Sequence, residues 1–477
     1  MFPNLLLLPD SATPTALRQS IRWFWLLGCF YVLYSCTSPT PDVKPDPPLP
    51  VFPVGTPVAS YNANTAVRWG DMALRITAGT PGNTPTYASR AFGYLGLAMY
   101  ETTVHGMADH QSMVQQLSNL NTLPLPKSDS AYSWPLALNA GQAYLLRNLY
   151  EHTFPANLTA IDSLETAIRL AYSDTLRTEV AARSIAFGRA IAAAIYEWAK
   201  SDGGHEGYKN PFPTDYRLPT GTGFWVAPTD GQVAVARALH PQWGNNRTFA
   251  PASAKMPAPT PETYSTNANS AYFKLYKAVY DKNRQLTQAE KETALWWSDD
   301  PSQTFTPPGH SYKLASIAIK TSGANLALAV ETYARTGMAV ADAFICCFKT
   351  KYTHHNERPS TFIRANIDRT WSPFWPEPPF PGFSSGHSTQ AAATATVLTD
   401  LFGANVHFTD DSHVGHPKDQ LRNIEFKART FNSFWEAAEE SGWSRILGGI
   451  HTQQDNEAGL LQGKKIGESI NQLVWKK

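Results

Sequence analysis

Apolar residues recur at three- and four-residue spacing along most of the chain, starting near residue 59. This period places them on one face of a helix. No long alternation of β-branched and polar residues occurs, so a sheet is not a main element. The pattern predicts an all-α protein, with helices at 65–77, 87–107, 136–150, 157–171, 175–200, 267–282, 287–297, 311–322, 325–348, 385–402, 425–446 and 455–473.

One segment, residues 203–261, breaks the helical pattern with many glycine, proline and aromatic residues. We interpret it as a long irregular excursion with one short hairpin at 220–226. Long loops in compact enzymes often border the active site. The folded chain then divides into an N-terminal helical region, 58–284, and a C-terminal helical region, 285–477, which carries the candidate chemistry.

The residues before the helices have the composition of an export signal followed by a tether. Arg18 and Arg22 precede a short apolar run, which ends in Leu33-Tyr34-Ser35-Cys36. This arrangement is typical of a secretory signal, and the Leu-x-Ser-Cys ending is similar to a bacterial lipobox. We predict a signal at 1–36 and a Pro-rich linker at 37–57. The prediction is an exported lipoprotein, periplasmic or at the cell surface, whose lipid on Cys36 is its only membrane contact. Plain secretion and an uncleaved anchor are the alternatives.

The charged residues nearly cancel, with 40 Lys and Arg against 39 Asp and Glu. No overall field would therefore attract nucleic acid, and we expect no nucleic-acid partner. Positive charge used by a site must be local. The four cysteines are too few for a disulfide framework, and we expect Cys346 and Cys347, adjacent in a predicted helix, to be core residues.

The first of three chemically suggestive segments runs from Lys351 to Arg358 and Pro359. Lys351 ends a predicted helix, and Pro359 disfavours helical geometry at Arg358. The irregular segment between them can fold Arg358 back toward Lys351. Taken alone, this segment is best explained as a solvated charge pair.

The second segment is Ser384-Ser385-Gly386-His387, at the start of a predicted helix. Ser384 or Ser385 would cap that helix, and the free N–H groups and dipole of a helix start form an anion site. Gly386 lets the backbone approach a ligand, and His387 in the first turn would reach over the same anion. Taken alone, a capping Ser-Gly pair explains most of this segment.

The third segment runs from Arg445 through two glycines to His451 and Asp455. Asp455 comes one helical turn after His451, so it can accept a hydrogen bond from the ring and fix its tautomer. Taken alone, His451 is a structural histidine. Together, the three segments supply cations and a helix start that suit a tetrahedral oxyanion. They also supply one imidazole to bond the central atom and another to move protons.

The order Lys-x6-Arg-Pro, Ser-Gly-His and Ser-Arg-x3-Gly-x-His-x3-Asp resembles the vanadium-dependent haloperoxidases. These belong to a superfamily with the type 2 phosphatidic acid phosphatases and bacterial acid phosphatases. The long helical region before the motifs, the run 88–101 and the segment Trp296-Trp297-Ser298-Asp299 favour the haloperoxidase branch. The resemblance implies helical bundles of this type, vanadate as cofactor, and hydrogen peroxide, a halide and a small organic acceptor as partners.

The resemblance also implies a role for each motif residue. His451 would be the metal ligand, and His387 would be the acid–base group that deprotonates hydrogen peroxide. Asp299 would brace the arginines and Asp455 would orient His451. Lys351 would both hold the cofactor and polarise the peroxide for halide attack. The other residues that would bind vanadate oxygens are Arg358, Ser385, Gly386 and Arg445, and those of the halide pocket are Phe348 and Phe380.

Two departures from the family pattern bear on the halide. Ser384 stands where a proline usually precedes Ser-Gly-His, and Phe348 stands where the fungal chloroperoxidase has a tryptophan near the halide. Both favour iodide or bromide over chloride. The alternative function is a phosphatase, in which His451 attacks phosphorus to give a phosphohistidine and His387 protonates the leaving alcohol. A surface binding protein with an inactive site is the third possibility, and it is the least supported because no motif cation or histidine is missing.

Overall fold

The computed structural model describes residues 55–173, 175–233, 235–257, 259–301 and 303–477. The predicted signal, the predicted lipidation site Cys36 and most of the predicted linker lie outside these residues. Within them the chain forms fourteen α-helices, four short 3-10 helices and two short strands. The helices are α1 (Asn64–Ala78), α2 (Pro85–Glu101), α3 (Trp134–Leu149), α4 (Pro155–Ser173), α5 (Thr178–Ala199), α6 (Pro251–Ala254), α7 (Ala271–Asn283), α8 (Gln288–Trp296), α9 (Thr306–Ser322), α10 (Leu326–His354), α11 (Pro359–Asn366), α12 (Gly386–Phe402), α13 (Phe434–Leu447) and α14 (Gln453–Asn471). The strands are β1 (Phe408–Asp410) and β2 (Arg429–Phe431).

The all-α prediction is confirmed, with local corrections. The helix predicted at 87–107 ends at Glu101, and α11 has no counterpart among the predicted helices. Residues 429–431, predicted as helix, form β2, which pairs antiparallel with β1. Helix α13 begins later, at Phe434, because the Ser433 side chain accepts a hydrogen bond from the Glu436 N–H and caps it there. The predicted hairpin at 220–226 is wrong, since within the described residues this stretch pairs only through one isolated bridge, between Phe224 and Asn356.

Helix α10 lies at the centre of the fold, with α2, α9, α12 and α14 packed around it. Two glycines let α10 and α2 approach closely. A Cβ on Gly96 would lie 2.3 Å from the Tyr333 carbonyl oxygen, and a Cβ on Gly337 would lie 2.3 Å from that of Phe92. Cys346 and Cys347 are buried in α10 as free thiols, as predicted. None of the described helices combines the length and apolar character of a transmembrane span.

Helix ends from different parts of the chain meet on one side of α10. Lys351 lies in the last turn of α10, Arg358 directly precedes α11, and Ser385 caps the start of α12. Arg445 lies in the last turn of α13, and His451 lies in the loop between α13 and α14. The fold therefore brings together donors from three separate motifs at helix termini, where backbone N–H and C=O groups have no partner within the helix.

Candidate active site

Hydrogen bonds join the three motifs directly. The Arg358 Nη1 atom lies 3.5 Å from His451 Nε2, which connects the first motif to the third. The Ser385 N–H donates to the Asp455 carbonyl over 2.9 Å, which connects the second to the third. Lys351, Arg358, Ser385, Arg445 and His451 are buried, and Gly386 and His387 are partly exposed. The convergence that the sequence predicts is therefore present.

Lys351 holds the chain that leads into the second motif. Its Nζ donates to the carbonyls of Pro381 (2.8 Å), Gly382 (2.8 Å) and Ser384 (2.6 Å). Burial lowers the pKa of Lys351 to about 7. All three ammonium N–H groups thus have carbonyl partners, so a direct bond from Lys351 to an oxyanion requires the exchange of one of them.

Arg358 brings a buried positive charge beside His451. Its Nε donates to the Phe380 carbonyl (2.9 Å) and its Nη1 to the Ile450 carbonyl (2.8 Å). Burial lowers the pKa of Arg358 to about 10, and the Glu377 carboxylate is the main charge that opposes this shift. The guanidinium therefore stays charged at neutral pH and is fixed between the second and third motifs.

The start of α12 has the form of an anion site. The Ser385 side chain accepts a hydrogen bond from the Ser388 N–H (3.3 Å) and caps the helix, as predicted. Gly386 is the first helical residue, and a Cβ built on it would meet no atom within 4 Å. Open space thus lies beside the first N–H groups of a helix, where the dipole also favours negative charge.

His451 has one ring nitrogen fixed and the other directed at the cations. Its Nδ1 lies 3.1 Å from Asp455 Oδ2, the contact that the sequence predicts. Because a carboxylate only accepts, Nδ1 carries the proton and Nε2 carries the lone pair. Burial, with the charges of Arg358 and Lys351, lowers the pKa of His451 well below its usual value. The imidazole is therefore neutral and suited to act as a ligand or a nucleophile.

His387 and Arg445 share a backbone acceptor, the carbonyl of Trp297. Arg445 Nη1 donates to it over 2.9 Å, and the His387 ring also bonds to it. The buried atoms His387 Nε2 and Arg445 Nε have no hydrogen-bond partner among the described residues. Burial, then the Arg445 charge, lowers the pKa of His387 well below its usual value, so the imidazole is neutral, with one ring nitrogen protonated and the other an acceptor.

A cavity of about 550 Å³ opens beside these groups. His387, Arg445 and His451 lie on its lining, and residues of the 203–261 excursion close another side. This confirms that the long irregular segment borders the site. Phe348 and Phe380 form an aromatic wall, with ring centroids 5.3 Å apart, and the Phe380 centroid lies 5.1 Å from Lys351 Nζ. An oxyanion fits here because the Arg445 guanidinium, the rings of His387 and His451 and the open helix start at Gly386 line one cavity, and Arg358 Nη1 lies 3.5 Å from His451 Nε2.

Comparison with known proteins agrees with the family resemblance of the sequence motifs. The family model for the vanadium chloroperoxidase N-terminal domain matches residues 51–227, and the model for the second helical-bundle domain of that enzyme matches residues 331–476. Vanadium chloroperoxidase from Curvularia inaequalis is 23% identical, over 86% of this chain and 82% of that protein. The crystal structure described as the first bacterial vanadium-dependent iodoperoxidase superimposes with a TM-score of 0.76 and 28% identity, covering 87% of this chain and 97% of that one.

The chain belongs to the vanadium-dependent haloperoxidase family. A bacterial vanadium-dependent chloroperoxidase in its holo form shares the fold, with a TM-score of 0.62, 16% identity and coverage of 82% of this chain and 91% of that one. Vanadate is the cofactor of this family, and hydrogen peroxide and a halide are its substrates.

One haloperoxidase contact that the sequence predicts is absent. Among the described residues, Asp299 forms no hydrogen bond or ion pair with an arginine. Its carboxylate accepts from His310 Nδ1 (2.9 Å) and His413 Nε2 (2.8 Å), and these imidazoles use the oxygens that an arginine would need. The next residue, Asp300, is the main charge opposing the burial that lowers the pKa of Arg445 to about 10. The sequence pattern does not distinguish two adjacent aspartates, so it does not show which of them opposes the burial of Arg445.

The haloperoxidase site also uses groups that the motifs do not contain. The Trp297 carbonyl orients His387 and Arg445, and His310 and His413 lie behind it. A backbone acceptor requires no particular side chain, so no sequence motif reveals it. His413 reaches Asp299 across 114 positions, so only the folded chain brings them together.

Proposed function

We propose that this protein oxidises iodide or bromide with hydrogen peroxide, using vanadate bound at His451, and releases hypohalous acid. The observation that carries the proposal is the state of His451. Its Nδ1 is held by Asp455, and its Nε2 is directed toward Arg358, beside an open helix start. Bound vanadate supplies a Lewis-acidic centre that activates peroxide for attack by halide without a change in its oxidation state.

The chain's own residues hold this cofactor by charge and by directed donors. His451 Nε2 would bind the central atom. Guanidinium groups and a helix start provide charge-assisted hydrogen bonds to a multiply charged oxyanion. The groups that would contact its oxygens are Arg358, Arg445, Lys351, the Ser385 hydroxyl and the Gly386 N–H.

His387 is proposed to move the proton of the reaction. Hydrogen peroxide, halide and one proton give hypohalous acid and water. The His387 ring lines the cavity and is neutral, so its unprotonated nitrogen can take a proton from hydrogen peroxide and return it to the departing oxygen. The Trp297 carbonyl is a hydrogen-bond partner of the ring and holds the imidazole in its orientation.

The aromatic wall supports the choice of a large halide. Phe348 and Phe380 present ring surfaces and no N–H or O–H donor to the cavity. The free energy needed to remove an ion from water falls as its radius grows, so iodide loses least on contact with such a wall. Iodide is also the halide most easily oxidised. The cavity is larger than a halide needs, which leaves room for a small organic acceptor.

Halide assays test this proposal. With vanadate and peroxide, we expect kcat/KM for iodide to exceed that for chloride by at least about tenfold, or ~1.4 kcal/mol in the barrier. Phe348→Trp adds an N–H donor to the wall and should reduce this ratio while leaving vanadate retention unchanged. A phenol added to the iodide assay should be iodinated. Brisk hydrolysis of phosphate monoesters, with no vanadate-stimulated halide oxidation, would assign the site to phosphatase chemistry through a phosphohistidine at His451.

We also propose that the protein is exported and anchored through a lipid on Cys36. The support is the sequence alone, in which Arg18 and Arg22 precede an apolar run that ends at Cys36. In a bacterial host, labelled fatty acid should be incorporated into the wild-type protein, and Cys36→Ser should abolish this and shift the protein from the membrane to the soluble fraction. If the wild-type protein incorporates no label, lipidation is ruled out, and the remaining alternatives are plain secretion and an uncleaved anchor.

A further inference from the structure

A buried row of alternating imidazoles and carboxylates lies directly behind the proposed catalytic groups. His310, on α9, is 1% exposed. Its Nδ1 lies 2.9 Å from Asp299 Oδ2, and its Nε2 lies 2.8 Å from Asp410 Oδ2. Because carboxylates only accept, both ring nitrogens must carry protons to satisfy them. Burial opposes protonation, but the charges of Asp299 and Asp410 outweigh it and raise the pKa of His310 to about 10. His310 is therefore an imidazolium at neutral pH.

Further donors fix the two carboxylates. Asp299 Oδ1 also accepts from His413 Nε2 over 2.8 Å. Asp410 also accepts from Trp296 Nε1 (3.0 Å) and from the Ser412 N–H (3.0 Å). Each carboxylate thus has several directed donors. Such a network is rigid when it is fully satisfied and costly when one member is removed.

Trp297 connects this row to the active site. The His310 ring stacks on the Trp297 indole, with centroids 4.5 Å apart and planes inclined by 19°. The Trp297 Nε1 donates to Glu440 Oε1 over 2.9 Å. Its carbonyl accepts from Arg445 and from the ring of His387. A displacement of the His310 ring would therefore move the acceptor that orients His387.

The two-stranded sheet completes the support. Asp410 on β1 lies opposite Arg429 on β2. Arg429 Nε donates to Glu440 Oε1 over 2.6 Å, and Glu440 in turn holds the Trp297 indole. The indole N–H groups of Trp296 and Trp297 thus both donate to carboxylates. Asp410 belongs to the sheet, and Glu440 is held by Arg429 of the sheet. This gives the short sheet a role in a helical protein.

We propose that His310 is a positioning residue, which acts through the Trp297 carbonyl to hold the orientation of the His387 ring at the cavity. The inference rests on the proposed function, in which His387 transfers the proton. Misplacement of a reacting group by about 1 Å can lower a rate by ~100-fold. His310 touches neither substrate nor cofactor, so its effect should fall on kcat rather than on halide binding.

Substitution of His310 by glutamine tests the kinetic part. The amide cannot donate to both carboxylates and cannot stack as an imidazolium. We expect kcat for iodide oxidation to fall by about 10- to 100-fold, the range over which loss of an outer-shell partner usually acts. We expect KM for iodide to change by less than about twofold, which corresponds to a change of ~0.4 kcal/mol in binding free energy. A kcat equal to that of the wild type would overturn the proposal.

His110 provides a matched control. It is also buried, and its ring nitrogens also lie next to two carboxylates, Asp109 (2.7 Å) and Glu331 (3.0 Å). Glu331 precedes Lys351 by 20 residues on α10, about 30 Å along the helix axis. His110→Gln should lower the thermal midpoint in the same way as His310→Gln while leaving kcat unchanged. An equal loss of kcat in both variants would show that His310→Gln acts by lowering the stability of the whole protein, and it would overturn the proposal.

A spectroscopic test needs neither variant nor cofactor. In the vanadate-free protein labelled with ¹⁵N-histidine, His310 should show two protonated ring nitrogens at pH 8, and His387 should be a single neutral tautomer. A neutral His310, a mixture of His387 tautomers, or a stoichiometric metal ion bound by Asp299, His310 and His413 would contradict the proposal. If the wild-type protein does not oxidise halide, the proposed function fails, and this measurement still tests the ring states that the positioning of His387 by His310 requires.

Discussion

Replacement of His451 by alanine is expected to abolish retention of vanadate. His451 Nε2 would form the one bond from the chain to the central atom, whereas Arg358 and Arg445 would hold its oxygens through exchangeable hydrogen bonds and charge. We expect the affinity to fall by more than about 100-fold, the upper end of what loss of an outer-shell partner costs. The measurement is vanadate binding to the purified variant, by equilibrium dialysis or by ⁵¹V NMR.

Asp455→Asn is the graded control for this prediction. The asparagine keeps the size of the side chain but removes the carboxylate that accepts from His451 Nδ1 and from the Thr452 N–H. Vanadate affinity should fall by about 10- to 100-fold, less than in His451→Ala. A His451→Ala protein that binds vanadate as tightly as the wild type and oxidises iodide would rule out His451 as the central ligand.

The sequence predicts the fold well where many residues repeat one signal. Helix α10 has 29 residues with an almost continuous apolar and small-residue surface, so its length identifies it as a buried helix. The motifs around Lys351, Ser385 and His451 are likewise readable, because helix ends and caps depend on nearby residues. Their convergence follows from the order of the motifs and from a family resemblance, which the family comparisons confirm.

The parts that the sequence misses depend on contacts between distant residues. Strand β2 has three residues, too few to show a period of two, and it exists because it pairs with β1. The Asp299 carboxylate is directed to His310 and His413 rather than to an arginine, and residue type does not reveal this. Lys351 has the expected location, but its three N–H groups donate to backbone carbonyls. Backbone acceptors have no sequence signature, so such details need coordinates.

Replacement of His387 by alanine is expected to separate catalysis from cofactor binding. The variant should lose the acid–base group while His451, Arg358 and the cap of α12 remain in place. We expect kcat for peroxide-dependent iodide oxidation to fall by about two to four orders of magnitude, the usual contribution of a positioned proton-transfer group. Vanadate affinity should stay close to that of the wild type, because His387 bonds to the Trp297 carbonyl and not to the central atom.

Added imidazole provides the control for His387→Ala. The cavity of about 550 Å³ beside His387 can admit a ring the size of the missing side chain. Neutral imidazole should therefore restore part of kcat in His387→Ala, with a rate that rises with its concentration. It should have no effect on the wild type or on His451→Ala, whose defect is the loss of the cofactor. If His387→Ala instead loses vanadate as fully as His451→Ala, or keeps kcat within about threefold, far less than a proton-transfer group supplies, then His387 is not the acid–base group and the proton must move through another residue bordering the cavity.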